Sequence, residues 1–112
     1  MRADLRMTAG KAASQAGHAF LSAFSKSPSD IQQRYLNDGE GTKVVLEVAD
    51  EVALHHAYIE AYRLGLPCAL VVERDHIMLP TFDGSPIITA LGIGPVLREM
   101  ARPITKGLRL MR

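Results

Sequence analysis

"KVVLEVADEVALHHAYIEAYRLGLPCALVV", Lys43 to Val72, sets two short apolar runs on either side of a helix-forming segment. The first run, Lys43 to Ala49, is β-branched and apolar and predicts a buried strand. Asp50 then caps a helix over Glu51 to Leu64, closed by Gly65 and by Pro67 just beyond it. Cys68 to Val72 predicts the next strand. Working outward, the same alternation continues in both directions. Upstream, Thr8 can cap a helix to about Phe24, because its hydroxyl can accept from an early backbone N–H, and a second short helix runs from Ser27 or Ser29 through Leu36. Downstream come the polar turn Glu73 to His76, "IML", a loop "PTFDGSP", and a strand over Ile87 to Ile93. A last short helix opens at Gly94-Pro95 and is expected to end at Pro103, with Leu108 to Met111 as an extended tail. Helices alternating with buried strands predict a single α/β domain of layered helices and sheet.

The bounds agree with this. The chain has 112 residues, 47% apolar and 22% charged, which suits one domain with a real core. No apolar run reaches the roughly 18 residues needed to span a bilayer, and "MRADLRMTAGK" lacks an apolar signal core, so a cytoplasmic protein is expected. The one cysteine, Cys68, excludes an internal disulfide and reads as a small buried residue. Net charge is +1, but its distribution is uneven: Arg98, Arg102, Lys106, Arg109 and Arg112 face only Glu99, and Arg2, Arg6 and Lys11 face only Asp4. Two basic ends are either a solvated surface or a phosphate-binding face.

Candidate chemistry concentrates in "GKAASQAGHA", Gly10 to Ala19. At about 100° per residue, Lys11, Gln15, His18 and Ser22 share one narrow stripe. Ala13, Ala16, Phe20, Ala23 and Phe24 fall opposite and form the expected core face. Adjacent His55 and His56 point about 100° apart on their helix and cannot chelate one ion together, so no metal site is expected. "GIGPV" has the glycines of a phosphate loop without its Lys-Ser/Thr, and no G-x-S-x-G elbow is present. Periodicity leaves the stripe open between a solvated face and an oxyanion or phosphate site, for which a Lys in the first helical turn is suited.

The residues resemble a family. "DLRMTAGKAASQAGHA", followed in order by "KVVLEV", "LGLP" and "TALGIGP", is similar to the archaeal and eukaryotic, or type 2, peptidyl-tRNA hydrolases. The first motif, D-L-x-M-x-x-G-K-x-A-x-Q-x-x-H-A, is matched by Asp4, Leu5, Met7, Gly10, Lys11, Ala13, Gln15, His18 and Ala19. T-x-L-x-I-G-P and G-x-L-x-L are matched from Thr89 and Gly107. The resemblance implies a three-layer α/β/α domain over residues 1–112, with a mixed four-stranded sheet. It also implies metal-independent, cofactor-free hydrolysis of the ester between peptide and the 3′ ribose of tRNA. The implied catalytic residues are Lys11, His18, Glu73 and Thr89, and the implied substrate-binding residues are Gln15, Asp75 and Arg6. The basic termini would serve tRNA phosphates. Oligomeric state stays open, a homodimer among the options.

Two departures matter. The family's acidic turn reads Asp, small residue, Gly, basic residue, Thr; here it reads Glu73, Arg74, Asp75, His76, Ile77, with a few residues inserted before Thr89. The alternative reading is therefore a catalytically weakened homologue that binds RNA or protein. A carboxylate of Glu73 or Asp75 within about 4 Å of the Lys11 ammonium would favour the enzyme. Members of the family also place an apolar strand before the first motif, where this chain has only "MRA". Loss of that strand would leave an unfilled sheet edge, so either the true start lies upstream or another element or chain fills the gap, and the expectation is an apolar "V-L-V-V-R" stretch encoded in frame just upstream.

Overall fold

The computed structural model describes residues 1–39, 41–74 and 76–112. Helix α1 runs Ala9–Ser25, α2 Ser29–Asn37, α3 Glu51–Arg63 and α4 Arg98–Thr105. The strands are β1 Leu46–Glu47, β2 Cys68–Glu73, β3 Ile77–Met78, β4 Phe82–Asp83, β5 Ile87–Ile93 and β6 Arg109–Leu110. The caps follow the sequence: the Thr8 hydroxyl accepts from the Lys11 N–H, the Asp50 carboxylate accepts from the Ala53 N–H, and Gly65 takes the left-handed conformation (φ +71°) after α3.

The central pair is β2 and β5, antiparallel from Cys68 opposite Ile93 to Glu73 opposite Ile87. Its register breaks between Val71 and Val72, whose partners are Ala90 and Ile88, so Thr89 is the extra residue of a bulge. Alternation along β2 sends Ala69, Val71 and Glu73 to one face, and Val71 clusters there with Ala19 and Ala90. Helix α1 covers that face. Cys68, Leu70 and Val72 point the other way, and α3 is the other helix packed on these strands, burying Leu54 and Ala61. This is the expected layering of an α/β domain.

The approach of α1 is set by a glycine. A Cβ built on Gly92 would lie 2.0 Å from the Ala19 carbonyl oxygen and 3.1 Å from the Ala23 Cβ, so the helix backbone rests directly on β5. This turns the buried face of α1 toward Gln15, Ala19 and Ala23, about 90° from the expected one, and leaves Ala13 exposed. Phe24 packs instead on Tyr35 of α2, ring centroids 5.6 Å apart.

Four further expectations are corrected or sharpened. The strand expected over Lys43 to Ala49 is only Leu46–Glu47 and is half-buried, because its regular partner β6 is itself two residues long. The edge left by the missing strand is filled by another element, Met1 to Ala3, one of the two outcomes expected. The Met1 nitrogen donates to Leu46 O, Val48 N to Met1 O and Ala3 N to Val48 O, in parallel register, while Arg2 N donates to Thr89 O across the other side. These few residues join the β6–β1 and β5–β2 pairs and make the assembly mixed. Pro103 does not end α4: the helix continues to Thr105, whose hydroxyl donates to the Ala101 carbonyl. The stretch expected as a loop, "PTFDGSP", instead joins the preceding "IML" in a hairpin, β3 paired with β4, which sends Phe82 into the interior.

Candidate active site

The site assembles where the first two turns of α1 cross the end of β2. Lys11 and Gln15 are one turn apart on α1, and Glu73 is the last residue of β2 on the face that α1 covers. The Lys11 ammonium lies 2.8 Å from Glu73 Oε1, and the Gln15 amide nitrogen donates to Glu73 Oε2 at 3.0 Å. Both carboxylate oxygens are therefore held by α1. The Lys11 and Glu73 side chains remain 10% and 19% exposed, which leaves the pair open to a substrate. The Lys11 ammonium, helped by the Gln15 amide, holds the Glu73 carboxyl below its ordinary range, so it is ionised at neutral pH.

Behind Glu73 lies a buried polar chain. Gln15 and Thr89 are 0% exposed, and the Thr89 hydroxyl donates to the Gln15 carbonyl oxygen. A buried amide is stable only with its donor and its acceptor both engaged, and here Glu73 and Thr89 engage them. The bulge makes this possible: as the extra residue of β5, Thr89 turns its hydroxyl onto the α1 face, where its neighbour Ala90 also packs. Thus Gln15, expected at the substrate, and Thr89, expected among the catalytic residues, both stand behind Glu73.

The remaining expected residues are placed differently. His18 is exposed, two turns along the same stripe of α1, with no side-chain partner among the described residues. Arg6 is exposed in the turn before α1, in the left-handed region at φ +48°. Asp75 lies outside the described residues. His55 and His56 are exposed on α3. His76, a polar residue just past the end of its strand and close to Glu73 in the sequence, brings Nδ1 to 4.0 Å from Glu73 Oε1, and its Nε2 is buried without a partner among the described residues; Phe82 escaped the sequence. Phe82 packs its ring beside His76, centroids 5.0 Å apart at 78°, with the Lys11 ammonium 5.2 Å from its own centroid. A lone aromatic in a Pro/Gly-bearing loop gives no periodicity to read.

Chemically, this is a fixed cation and an ionised carboxylate at an open edge, backed by a dry hydrogen-bond chain. Such a pair can bind an oxyanion and orient a polarised water.

Comparison with known proteins identifies the family of the chain. The family model described as "Peptidyl-tRNA hydrolase PTH2" matches residues 1–111. Among proteins named peptidyl-tRNA hydrolase, the chain is 40% identical to one from Methanococcus maripaludis strain C6, over 99% of this chain and 94% of the relative. It is 37% identical to one from Halobacterium salinarum strain R1, over 97% and 93%, and 34% identical to one from Pyrobaculum aerophilum, over 100% and 93%. With the match running essentially from end to end, the chain belongs to the peptidyl-tRNA hydrolase PTH2 family.

Proposed function

We propose that this protein hydrolyses the ester joining peptide to tRNA in peptidyl-tRNA, with Lys11 and Glu73 as the groups that meet the reacting atoms. The observation that carries the reading is the 2.8 Å pairing of Lys11 with Glu73, which puts a carboxylate where the family's acidic turn is altered. That contact favours the enzyme over a binding-only homologue. Ester hydrolysis adds water to the carbonyl, passes through a tetrahedral oxyanion and expels the 3′ oxygen of the ribose. The Lys11 ammonium stabilises the oxyanion, and the Glu73 carboxylate accepts a hydrogen bond from the attacking water and orients it. Gln15 and Thr89 act through Glu73 by fixing its plane, and no metal takes part in this scheme. His18, open on the same stripe, contacts the ribose end of the substrate.

The tRNA is held by phosphates. Arg98 and Arg102 are exposed one turn apart on α4, Lys106 is exposed just past its end, and Arg6 adds charge before α1. Translation supplies this substrate in the cytoplasm, the compartment proposed here. No helix among the described residues is long and apolar enough to cross a membrane. A homodimer is proposed from the apolar surface of α3, where Val52 and Tyr62 are exposed, and sedimentation velocity would reveal it. The assignment of the site is tested by peptide release from peptidyl-tRNA with Glu73→Ala. The rate should fall by about two orders of magnitude or more with tRNA binding retained, and a wild-type rate would remove Glu73 from the mechanism.

A further inference from the structure

We propose that Phe82 is a positioning residue for this reaction, its ring face fixing the Lys11 ammonium opposite Glu73. The inference rests on Lys11 and Glu73 being the catalytic pair. Lys11 is the third residue of α1, where the positive end of the helix dipole disfavours an ammonium, and the first turn of α1 carries no acidic residue to offset it. Its side chain is also mostly withdrawn from water. One carboxylate at 2.8 Å sets how far the ammonium can stray from Oε1 but not its direction, because a flexible lysine stem can bring a point charge to that oxygen from more than one side. A second attraction from another element fixes the direction. Phe82 supplies it from β4: its centroid lies 5.2 Å from the ammonium, inside the range over which the negative ring face attracts a cation.

The hairpin is built around this placement. Phe82 is 2% exposed, whereas Ile77 and Leu79 of the same hairpin are 71% and 73% exposed, so the large apolar residue sent inward is the one that meets Lys11. The same ring packs beside His76, so the hairpin orders a third polar group next to Glu73. The stretch that the family resemblance reads as an insertion thus contributes a wall of the site.

Replacing Phe82 with mono-, di- and trifluorinated phenylalanine weakens the ring face stepwise at nearly constant volume, so packing and folding are preserved. Steady-state hydrolysis of a purified peptidyl-tRNA should show kcat falling stepwise, by about three- to tenfold across the series, with KM and melting temperature unchanged. Phe82→Leu, which keeps an apolar anchor without a ring, should lose at least as much. A flat kcat across the fluorinated series, or a wild-type kcat in Phe82→Leu, would overturn the proposal. Lys11→Ala measured in parallel separates the two levels. If it hydrolyses normally, the catalytic pair itself is wrong; if it is inactive while the series is flat, only the role of Phe82 falls.

Discussion

Replacing Gly92 by alanine should cost both stability and activity through one contact. A methyl group at position 92 would sit 2.0 Å from the Ala19 carbonyl oxygen and 2.7 Å from its carbon. An ordinary carbon–oxygen contact is about 3.4 Å, so α1 must back away from β5 by roughly 1 Å. The obstacle is helix backbone, not a flexible side-chain tip, and the site cannot yield by a rotamer change. Gly92 is absent from the positive-φ glycines, so the penalty is steric alone. Overpacking of this kind costs about 3 kcal/mol, near the top of the usual range. In a domain of this size that lowers the melting temperature by roughly 10 °C. Because α1 carries Lys11 and Gln15, the displacement also opens the 2.8 Å pair with Glu73, and misplacement by about 1 Å can lower kcat by about a hundredfold. Thermal unfolding by circular dichroism and single-turnover peptide release test both halves. A variant that melts within about 2 °C of wild type and keeps its rate would refute the close approach of α1 to β5.

Three other perturbations follow from the same geometry. Glu73 has a carboxyl depressed from its ordinary value of 4.5, chiefly by Lys11, so its contribution to stability is present above that value and is lost as pH falls through the depressed one. The stability gap between wild type and Glu73→Gln in urea titrations should therefore be constant from neutral pH to about 5 and shrink below it; a gap independent of pH would contradict the pairing. Thr89→Val leaves the buried Gln15 carbonyl oxygen without its donor, and should cost about 1–3 kcal/mol by chemical denaturation, with a lower kcat that Thr89→Ser restores. Changing Arg98, Arg102 and Lys106 together to Gln should flatten the slope of log affinity for tRNA against log salt by about 2 to 3, with single-turnover chemistry at saturation unchanged. An unaltered slope would place the tRNA elsewhere.

What was legible in the sequence divides along physical lines. The α3 and β5 elements and the start of α1 were readable because each is punctuated by residues with a backbone reason to be there, Thr8, Asp50 and Gly65 among them. Periodicity put Lys11 and Gln15 on one stripe, but a solvated face was the favoured reading until the family resemblance set Glu73 against it. The orientation of α1 was not legible. A residue-by-residue count of apolarity favours Phe20 and Phe24, whereas Gly92 on a strand far along the chain selects Ala19 and Ala23. Burial of Gln15 was hidden for a related reason: an amide can be interior only when two partners are in place, and those partners are 58 and 74 residues away. The bulge at Thr89 and the hairpin carrying Phe82 leave no period in the sequence at all.

The most direct measurement is peptide release from a purified peptidyl-tRNA by the wild-type protein and by Lys11→Ala, with binding of the same tRNA followed in parallel. A fixed ammonium facing an ionised carboxylate predicts rapid release by the wild type and a loss of about two to three orders of magnitude in Lys11→Ala, with tRNA still bound. No release by the wild type, or equal release by both, would contradict the account.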